Sequence, residues 1–231
     1  MKHVVIVLTS HTRLGDTGKP TGFYFEELAT PYWALTDAGY HVTIASIAGG
    51  KPEHDPGSLK NDETLRPQSV QRFVTDEAAM AKLAKTPAIG EIDPAEFDAI
   101  FLPGGHGVMW DFPKSEALGK AVGAIYGAGG VVGAVCHGPV GLINAKRADG
   151  APLVAGLKVN SFTDAEEEAV GLTSTVPLLL EGRLRDLGGR FEGAANFTSQ
   201  AVRDGRLVTG QNPMSSDAVG KLLLEALKDA A

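Results

Sequence analysis

Cysteine is nearly absent from this sequence, and so are long apolar runs. The 231 residues contain one cysteine, Cys136, which cannot form an intrachain disulfide, so nothing points to an oxidising compartment. The first apolar run, residues 4–8, is too short for the core of a signal peptide, and no other run is long enough to span a bilayer. We therefore expect a cytoplasmic protein with no membrane partner.

An excess of positive charge is also missing. Lysine and arginine number 21 against 28 aspartates and glutamates, for a net charge of −7, and the absence of any basic run argues against a nucleic-acid partner held through its phosphates. A small neutral or electrophilic substrate fits this charge better. The chain does have apolar residues (43%) and 29 glycines, which suit a buried sheet with tight turns.

Short apolar runs alternate with helical patterns along the chain. Continuous apolar runs are typical of strands buried on both faces, and they occur at residues 3–8, 40–45, 98–102, 131–135 and, more briefly, 156–160. Asp204-Gly205 between two alternating runs predicts a hairpin over residues 201–209. The sequence therefore predicts one α/β domain, residues 1–231, with a doubly wound, mostly parallel, flavodoxin-like sheet flanked by helices.

Helical spacing between these runs predicts the flanking layers. It covers residues 23–38, interrupted near its start by Pro31, and residues 76–85, 114–126 and 177–187, and a last helix begins at Ser215 or Ser216. Residues 49–73 break the pattern, because they are rich in Pro, Gly, Asp and Lys and lack periodicity. A polar excursion of that length in a compact domain is usually functional or mobile, and we expect it to be a lid or a dimer contact.

The lone cysteine lies at a strand-to-helix bend. Residues 131–135 form the strand, and Gly138-Pro139 begins the next helix, an arrangement typical of a nucleophile elbow. A helix N-terminus lowers the pKa of a thiol placed there, so we expect a reactive, acidic Cys136. The alternative is an inert buried thiol.

A glycine-rich loop and two acidic clusters accompany the elbow. Gly104 and Gly105 directly follow a strand, where their N–H groups suit half of an oxyanion hole, while His106 beside them is a candidate site residue or an ordinary loop residue. Glu26 and Glu27 are adjacent on a helix, so only one of them can face inward. For these carboxylates, and for the three glutamates at 166–168, the alternative is simple solvation at the surface.

Three motifs in this order resemble the ThiJ/PfpI superfamily of the class I glutamine amidotransferase-like fold. They are Leu-Pro-Gly-Gly-His-Gly at 102–107, Ala-Val-Cys-His-Gly-Pro at 134–139 and Thr-Gly-Gln-Asn-Pro at 209–213. The segment Thr-Gly-Phe-Tyr-Phe-Glu-Glu at 21–27 is similar to the heat-shock chaperone and glyoxalase III branch. The resemblance implies that Cys136 is the nucleophile, that His137 is its neighbour and that Glu27 contacts the cysteine.

The same resemblance implies a third member of the triad after the Phe-Thr-Asp segment. It maps best to Glu167, with Glu166 and Glu168 as the neighbouring alternatives. No histidine follows His137, which argues against glutaminase chemistry, because that reaction needs a downstream histidine as its base.

The resemblance also implies an activity. A Cys136 thiolate adds to the aldehyde carbon of methylglyoxal or a related 2-oxoaldehyde, N–H groups near Gly105 and His137 hold the oxyanion, and Glu27 moves a proton between adjacent carbons to form a 2-hydroxy acid. This glutathione-independent glyoxalase would need no metal or organic cofactor and would form a homodimer. The alternatives are a stress-response holdase chaperone, a protein deglycase and, ranked last, a cysteine amidase or peptidase.

Overall fold

A mostly parallel β-sheet runs through the centre of the computed structural model, which describes residues 2–230. Six strands lie in it in the spatial order second, first, third, fourth, eighth and seventh, and the fifth and sixth form a separate pair. In chain order the strands are β1 (His3–Leu8), β2 (His41–Ser46), β3 (Ala99–Leu102), β4 (Val131–Val135), β5 (Lys158–Val159), β6 (Arg190–Phe191), β7 (Ala201–Asp204) and β8 (Leu207–Gly210). Only β7 runs antiparallel in the main sheet, so the predicted fold class and the predicted hairpin are both confirmed.

Helices cover both faces of this sheet. The α-helices are α1 (Phe25–Asp37), α2 (Gln68–Thr75), α3 (Glu77–Ala84), α4 (Val108–Asp111), α5 (Glu116–Gly127), α6 (Asp164–Ala169), α7 (Leu180–Asp186) and α8 (Ser216–Asp229). No helix within the described residues is both long enough and apolar enough to cross a membrane.

The central strand β1 shows how the two layers are built. Alternate side chains of a strand point to opposite faces of the sheet, so Val4 and Ile6 pack with the layer that contains α1 and α8. Val5 and Val7 pack with the opposite layer, which contains α5 and α7. Because both faces are covered, β1 has to be apolar at consecutive positions, which explains its continuous apolar run.

Three predicted elements differ from the structure. The expected break at Pro31 does not occur, and α1 continues through it. Because proline has no backbone N–H, the carbonyl of Glu27 lacks its usual helical hydrogen bond. The predicted fifth strand shrinks to β5, which pairs with β6 outside the main sheet. The predicted helix over residues 177–187 begins at Leu180.

The segment 49–73 is more ordered than its composition indicates. It contains 3₁₀ helices at Pro56–Ser58 and Glu63–Leu65, and α2 begins inside it. Val70 and Phe73 of α2 are buried, and these two apolar side chains, one helical turn apart, anchor the end of the segment. Its start is held as well, because the N–H of Phe23 donates to the carbonyl of Glu53 (3.1 Å) and the N–H of Asp55 donates to the carbonyl of Phe23 (2.7 Å).

Candidate active site

Cys136 stands at the sharp turn that follows β4. It has φ 60°, a left-handed conformation that costs a residue other than glycine on the order of 1–3 kcal/mol. Hydrogen bonds hold it on both sides, since its N–H donates to the carbonyl of Gly210 (2.9 Å) and its carbonyl accepts the N–H of Phe162 (2.8 Å). The turn thus has the backbone geometry of a nucleophile elbow.

The two glycines after β3 let the backbone approach this turn. A Cβ on Gly104 would lie 2.6 Å from the backbone nitrogen of His137, and Gly105 has φ 93°, so a side chain at the first would clash and one at the second would be strained. The backbone N–H groups of Gly105 and His137 act to lower the pKa of the Cys136 thiol. These are the two N–H groups near which the sequence predicts the oxyanion site.

Glu27 reaches the thiol from α1. Its side chain is completely buried, and Oε2 accepts the N–H of Gly104 at 2.6 Å. Oε1 has no hydrogen-bond partner among residues 2–230, and Glu27 is near enough to Cys136 for each group to shift the pKa of the other. Burial raises the pKa of Glu27 to about 8, so at neutral pH it is a carboxylic acid, whereas Glu26 beside it is only half-buried. Solvation at the surface is therefore the wrong interpretation for Glu27.

The thiol itself is not acidic at rest, which corrects the expectation from the bend. Burial raises the pKa of Cys136, an ionised Glu27 raises it further, and the two backbone N–H groups only partly oppose them. The chain after the bend forms a five-residue 3₁₀ helix, Gly138–Leu142, rather than an α-helix. The helix dipole expected to lower the pKa of the thiol is therefore weak. The cysteine therefore needs a base.

His137 lies in position to be that base. Its Nδ1 is 3.3 Å from the sulfur of Cys136, and its Nε2 is 2.7 Å from Oε2 of Glu167. Burial and the neighbouring His106 lower the pKa of His137 to about 4, against the opposing influence of Glu167. We assign the neutral tautomer with its proton on Nε2, because an ionised carboxylate can only accept, and this leaves the lone pair of Nδ1 facing the thiol.

The structure distinguishes between the three consecutive glutamates of α6. Glu167 meets His137, and Glu168 is exposed to solvent. Glu166 is fully buried but accepts hydrogen bonds from Thr163 and Asn212, so it stabilises the start of α6 rather than the histidine. Successive helical residues point in different directions, and surface solvation holds only for Glu168.

Glu167 also accepts a hydrogen bond from a second histidine, His106. The Nε2 of His106 is 2.9 Å from its Oε1. Burial opposes ionisation of Glu167, but the bonds from His106 and His137 lower its pKa to about 2. His106 thus bonds Glu167 through Nε2 and also lines the cavity at Cys136, and the substrate- or oxyanion-binding role expected for it stays a prediction.

His106, His137 and Glu167 also form a group of potential metal ligands that sequence spacing did not indicate. Their ligand atoms lie within 4.8 Å of one another. The three side chains are already joined by hydrogen bonds, so a metal ion would have to displace those bonds.

A cavity of about 300 Å³ opens onto Cys136. Several of its lining residues were missed in the sequence, among them the polar residues Tyr24 and Asp55. Burial raises the pKa of Tyr24 to about 12, so its hydroxyl stays protonated at neutral pH. Tyr24 lies within the 21–27 motif and was therefore detectable, whereas Asp55 comes from the 49–73 segment, where no periodicity indicated it.

The fold and the site together define an α/β protein with a cysteine at a nucleophile elbow. The chain belongs to the DJ-1/PfpI family, whose model matches residues 21–226, and this confirms the resemblance drawn from the three motifs.

Individual relatives cover nearly the whole chain. Glyoxalase 3 of Candida albicans is 33% identical over 94% of this chain and 94% of its own, and the glutathione-independent glyoxalase HSP31 of Saccharomyces cerevisiae is 31% identical over 99% of each. The crystal structure of glyoxalase III from Candida albicans superposes with a TM-score of 0.89, at 30% identity over 97% of both chains. These relatives are glutathione-independent or type III glyoxalases, and the chain is similar to them along its full described length.

Proposed function

We propose that this protein is a glutathione-independent glyoxalase that converts methylglyoxal or a related 2-oxoaldehyde to the 2-hydroxy acid. The observation that carries the proposal is the placement of one thiol between a neutral histidine and a protonated carboxylic acid. The names of the relatives support the same reaction.

The first step forms a covalent adduct. His137 takes the proton of the Cys136 thiol through Nδ1, and the sulfur attacks the aldehyde carbon. The N–H groups of Gly105 and His137 stabilise the developing oxyanion, which takes the proton of Glu27. The product is a hemithioacetal on Cys136, and Glu27 becomes a carboxylate beside it.

The second step is an internal redox shift. Glu27 removes the hydrogen of the former aldehyde carbon as a proton and returns it to the adjacent carbon, while the proton of the new hydroxyl moves to the neighbouring oxygen. The first carbon is oxidised to a thioester and the second is reduced to an alcohol, so no external electrons enter. A pKa of about 8 suits this work, because both forms of the group are accessible near neutral pH.

The last step releases the product. Water attacks the thioester and gives a proton to the Glu27 carboxylate as general base, while the protonated His137 returns to the leaving sulfur the proton it took in the first step. The 2-hydroxy acid leaves, the sulfur regains a proton and Cys136 returns to its starting state. The net reaction adds one water to the 2-oxoaldehyde, and the protein's own thiol replaces the thiol of glutathione.

The direct test supplies methylglyoxal to the reduced, purified protein without glutathione and measures lactate. We expect lactate to form at a rate that is unchanged by added glutathione. An absence of lactate from reduced protein whose thiol still titrates would contradict the proposal.

Holdase activity is a second candidate, because Val170, Phe197 and Met214 expose apolar surface beside the cavity. It would not depend on the thiol. Suppression of client aggregation that is equal in wild type and Cys136→Ser, without any lactate formation, would favour it over the glyoxalase.

We also propose that the chain forms a homodimer through the 49–73 segment. Residues 60–65 of this segment are exposed, while its two ends pack on the domain. Sedimentation at micromolar concentration should give a dimer, and a monomer alone would remove the proposal.

A further inference from the structure

Exposed apolar side chains gather at the mouth of the cavity. Within residues 2–230, four large apolar side chains are exposed, and three of them line this cavity, namely Val170 (43% exposed), Phe197 (40%) and Met214 (53%). Single exposed apolar residues scattered over a surface are ordinary. Three of four at one opening mark a surface that contacts an apolar group.

The backbone holds these three residues, the rim of the cavity, in defined positions. Val170 follows directly on α6, and Met214 lies in the 3₁₀ helix Pro213–Ser215. Phe197 has φ 56°, a conformation rare for a bulky side chain. Its N–H donates to Oε1 of the buried Glu166 at 2.8 Å, which holds the ring in place against that strain.

An aromatic wall connects the rim to the catalytic histidine. The rings of Phe197 and Phe162 are 6.3 Å apart, and the rings of Phe162 and His137 are 4.4 Å apart. Tyr24 and Asp55 line the same cavity with polar groups. A substrate held over Cys136 thus has this aromatic wall and the three apolar rim residues within the same cavity as the polar groups.

The cavity is larger than methylglyoxal requires. That molecule has five non-hydrogen atoms, which occupy on the order of 100 Å³ if each takes a little less than the share of one water molecule in the liquid. The cavity holds about 300 Å³. The cavity therefore has room for a larger 2-oxoaldehyde, and in a substrate whose aldehyde carbon is bound by Cys136 the added group is the substituent on the ketone carbon.

We propose that Val170, Phe197 and Met214 determine specificity by binding an apolar substituent, alkyl or aryl, on the ketone carbon of the 2-oxoaldehyde. This inference rests on the proposed glyoxalase function and names the substrate class that the site prefers. A hydrophobic pocket discriminates by about 10–200-fold for a single added methylene.

The test compares initial rates with glyoxal, which has no substituent, and phenylglyoxal, which has an aryl group. We expect kcat/KM to be at least about tenfold higher for phenylglyoxal in the wild type. Met214→Ala and Phe197→Asn should each reduce this ratio severalfold; asparagine is chosen because it tolerates a positive φ. The matched control is Met80→Ala, a partly buried methionine on α3 outside the cavity, which should keep the ratio. A preference for glyoxal, or a ratio unchanged in both rim variants, would overturn the proposal.

A second measurement separates this inference from the proposed reaction. Alkylation of Cys136 is followed in the presence of mandelate or glycolate, the 2-hydroxy acids that correspond to the two substrates. Mandelate should protect at a concentration at least about tenfold lower than glycolate, and Phe197→Asn should reduce the difference. Preferential protection without turnover would reject the glyoxalase and keep the apolar subsite, whereas equal protection would reject the subsite even if lactate forms.

Discussion

Two buried glutamates, Glu27 and Glu167, lie at the candidate site, and they differ in protonation state. Glu27 accepts a single backbone N–H, from Gly104, and burial raises its pKa to about 8. Glu167 accepts two imidazole N–H groups, from His106 and His137, and its pKa falls to about 2 despite burial. The same side chain thus becomes an acid on one side of the site and a fixed anion on the other, because its partners differ.

In the proposed reaction, the two sides of Cys136 therefore have different roles. The Glu27 side stores a proton next to the sulfur and can release and take it near neutral pH. The Glu167 side holds no movable proton, but it fixes the tautomer of His137 and so aims Nδ1 at the thiol. Substitution of the thiol tests whether both sides act on one residue, and substitution of one carboxylate at a time tests whether their roles differ.

Removal of the thiol should have the largest effect. Cys136→Ser should lower turnover of methylglyoxal by about 10⁴-fold or more, because a hydroxyl at its ordinary pKa is a far weaker nucleophile. Lactate formation measures this. Residual activity within tenfold of the wild type would show that the reaction does not pass through a covalent adduct at residue 136.

The second largest loss of turnover should come from substitution of Glu27, the proposed proton carrier. Glu27→Gln should reduce kcat for methylglyoxal by about 10²–10⁴-fold, because the amide cannot carry the proton between the two carbons. Glu26→Gln is the matched control on the same helix and should retain activity, since Glu26 does not reach the thiol.

The same Glu27→Gln variant should alkylate faster. An ionised Glu27 raises the pKa of the thiol, so its removal should shift the pH profile of Cys136 alkylation to lower pH. Lost turnover together with faster alkylation would separate proton transfer from thiol activation. Loss of both would mean that Glu27 mainly maintains the site's structure.

Substitution of the anionic Glu167 should cause a smaller loss of turnover. Glu167→Gln should reduce kcat by about tenfold, which corresponds to about 1.4 kcal/mol, because glutamine can still accept one imidazole N–H and only the orientation of His137 is weakened. Glu168→Gln, exposed on the same helix, should have no effect. A loss as large as that of Glu27→Gln would mean that Glu167 does more than orient.

The last expected effect is on stability rather than on turnover, and its dependence on pH differs between the two carboxylates. Glu27 has a folded pKa of about 8 against an ordinary value of 4.5, so its stabilising contribution is complete below pH 4.5 and is lost as the pH rises through 8. The free energy of unfolding of the wild type should therefore fall relative to Glu27→Gln by on the order of a few kcal/mol between pH 5 and 8.

Urea unfolding at several pH values provides this measurement. The contribution of Glu167, whose pKa is lowered from 4.5 to about 2, is present above pH 4.5 and is lost only in acid. Glu167→Gln should therefore run parallel to the wild type between pH 5 and 8. Parallel curves for Glu27→Gln would show that the pKa of Glu27 is not raised.

Local sequence patterns predict the parts of this protein that depend on a short stretch of chain. The apolar run of β4, the bend at Cys136 and the Asp204-Gly205 turn each carry their own local pattern, and the structure has all three. The glycines at 104 and 105 were also evident, because a strand followed by glycines predicts a close approach whatever comes near. Motif order then indicated the family before any contact was known.

The protonation states and hydrogen-bond partners at the site depend instead on contacts between residues far apart in the sequence. Glu27 meets the N–H of Gly104 across 77 positions of chain, and Glu167 meets His106 across 61, so no local pattern reveals which oxygen is satisfied. The choice among Glu166, Glu167 and Glu168 depended on the rotation of α6 toward His137, and the thiol's raised pKa depended on burial by distant segments. A pKa is set by whatever surrounds a group in space, whereas a strand or a turn is set largely by its own neighbours in sequence.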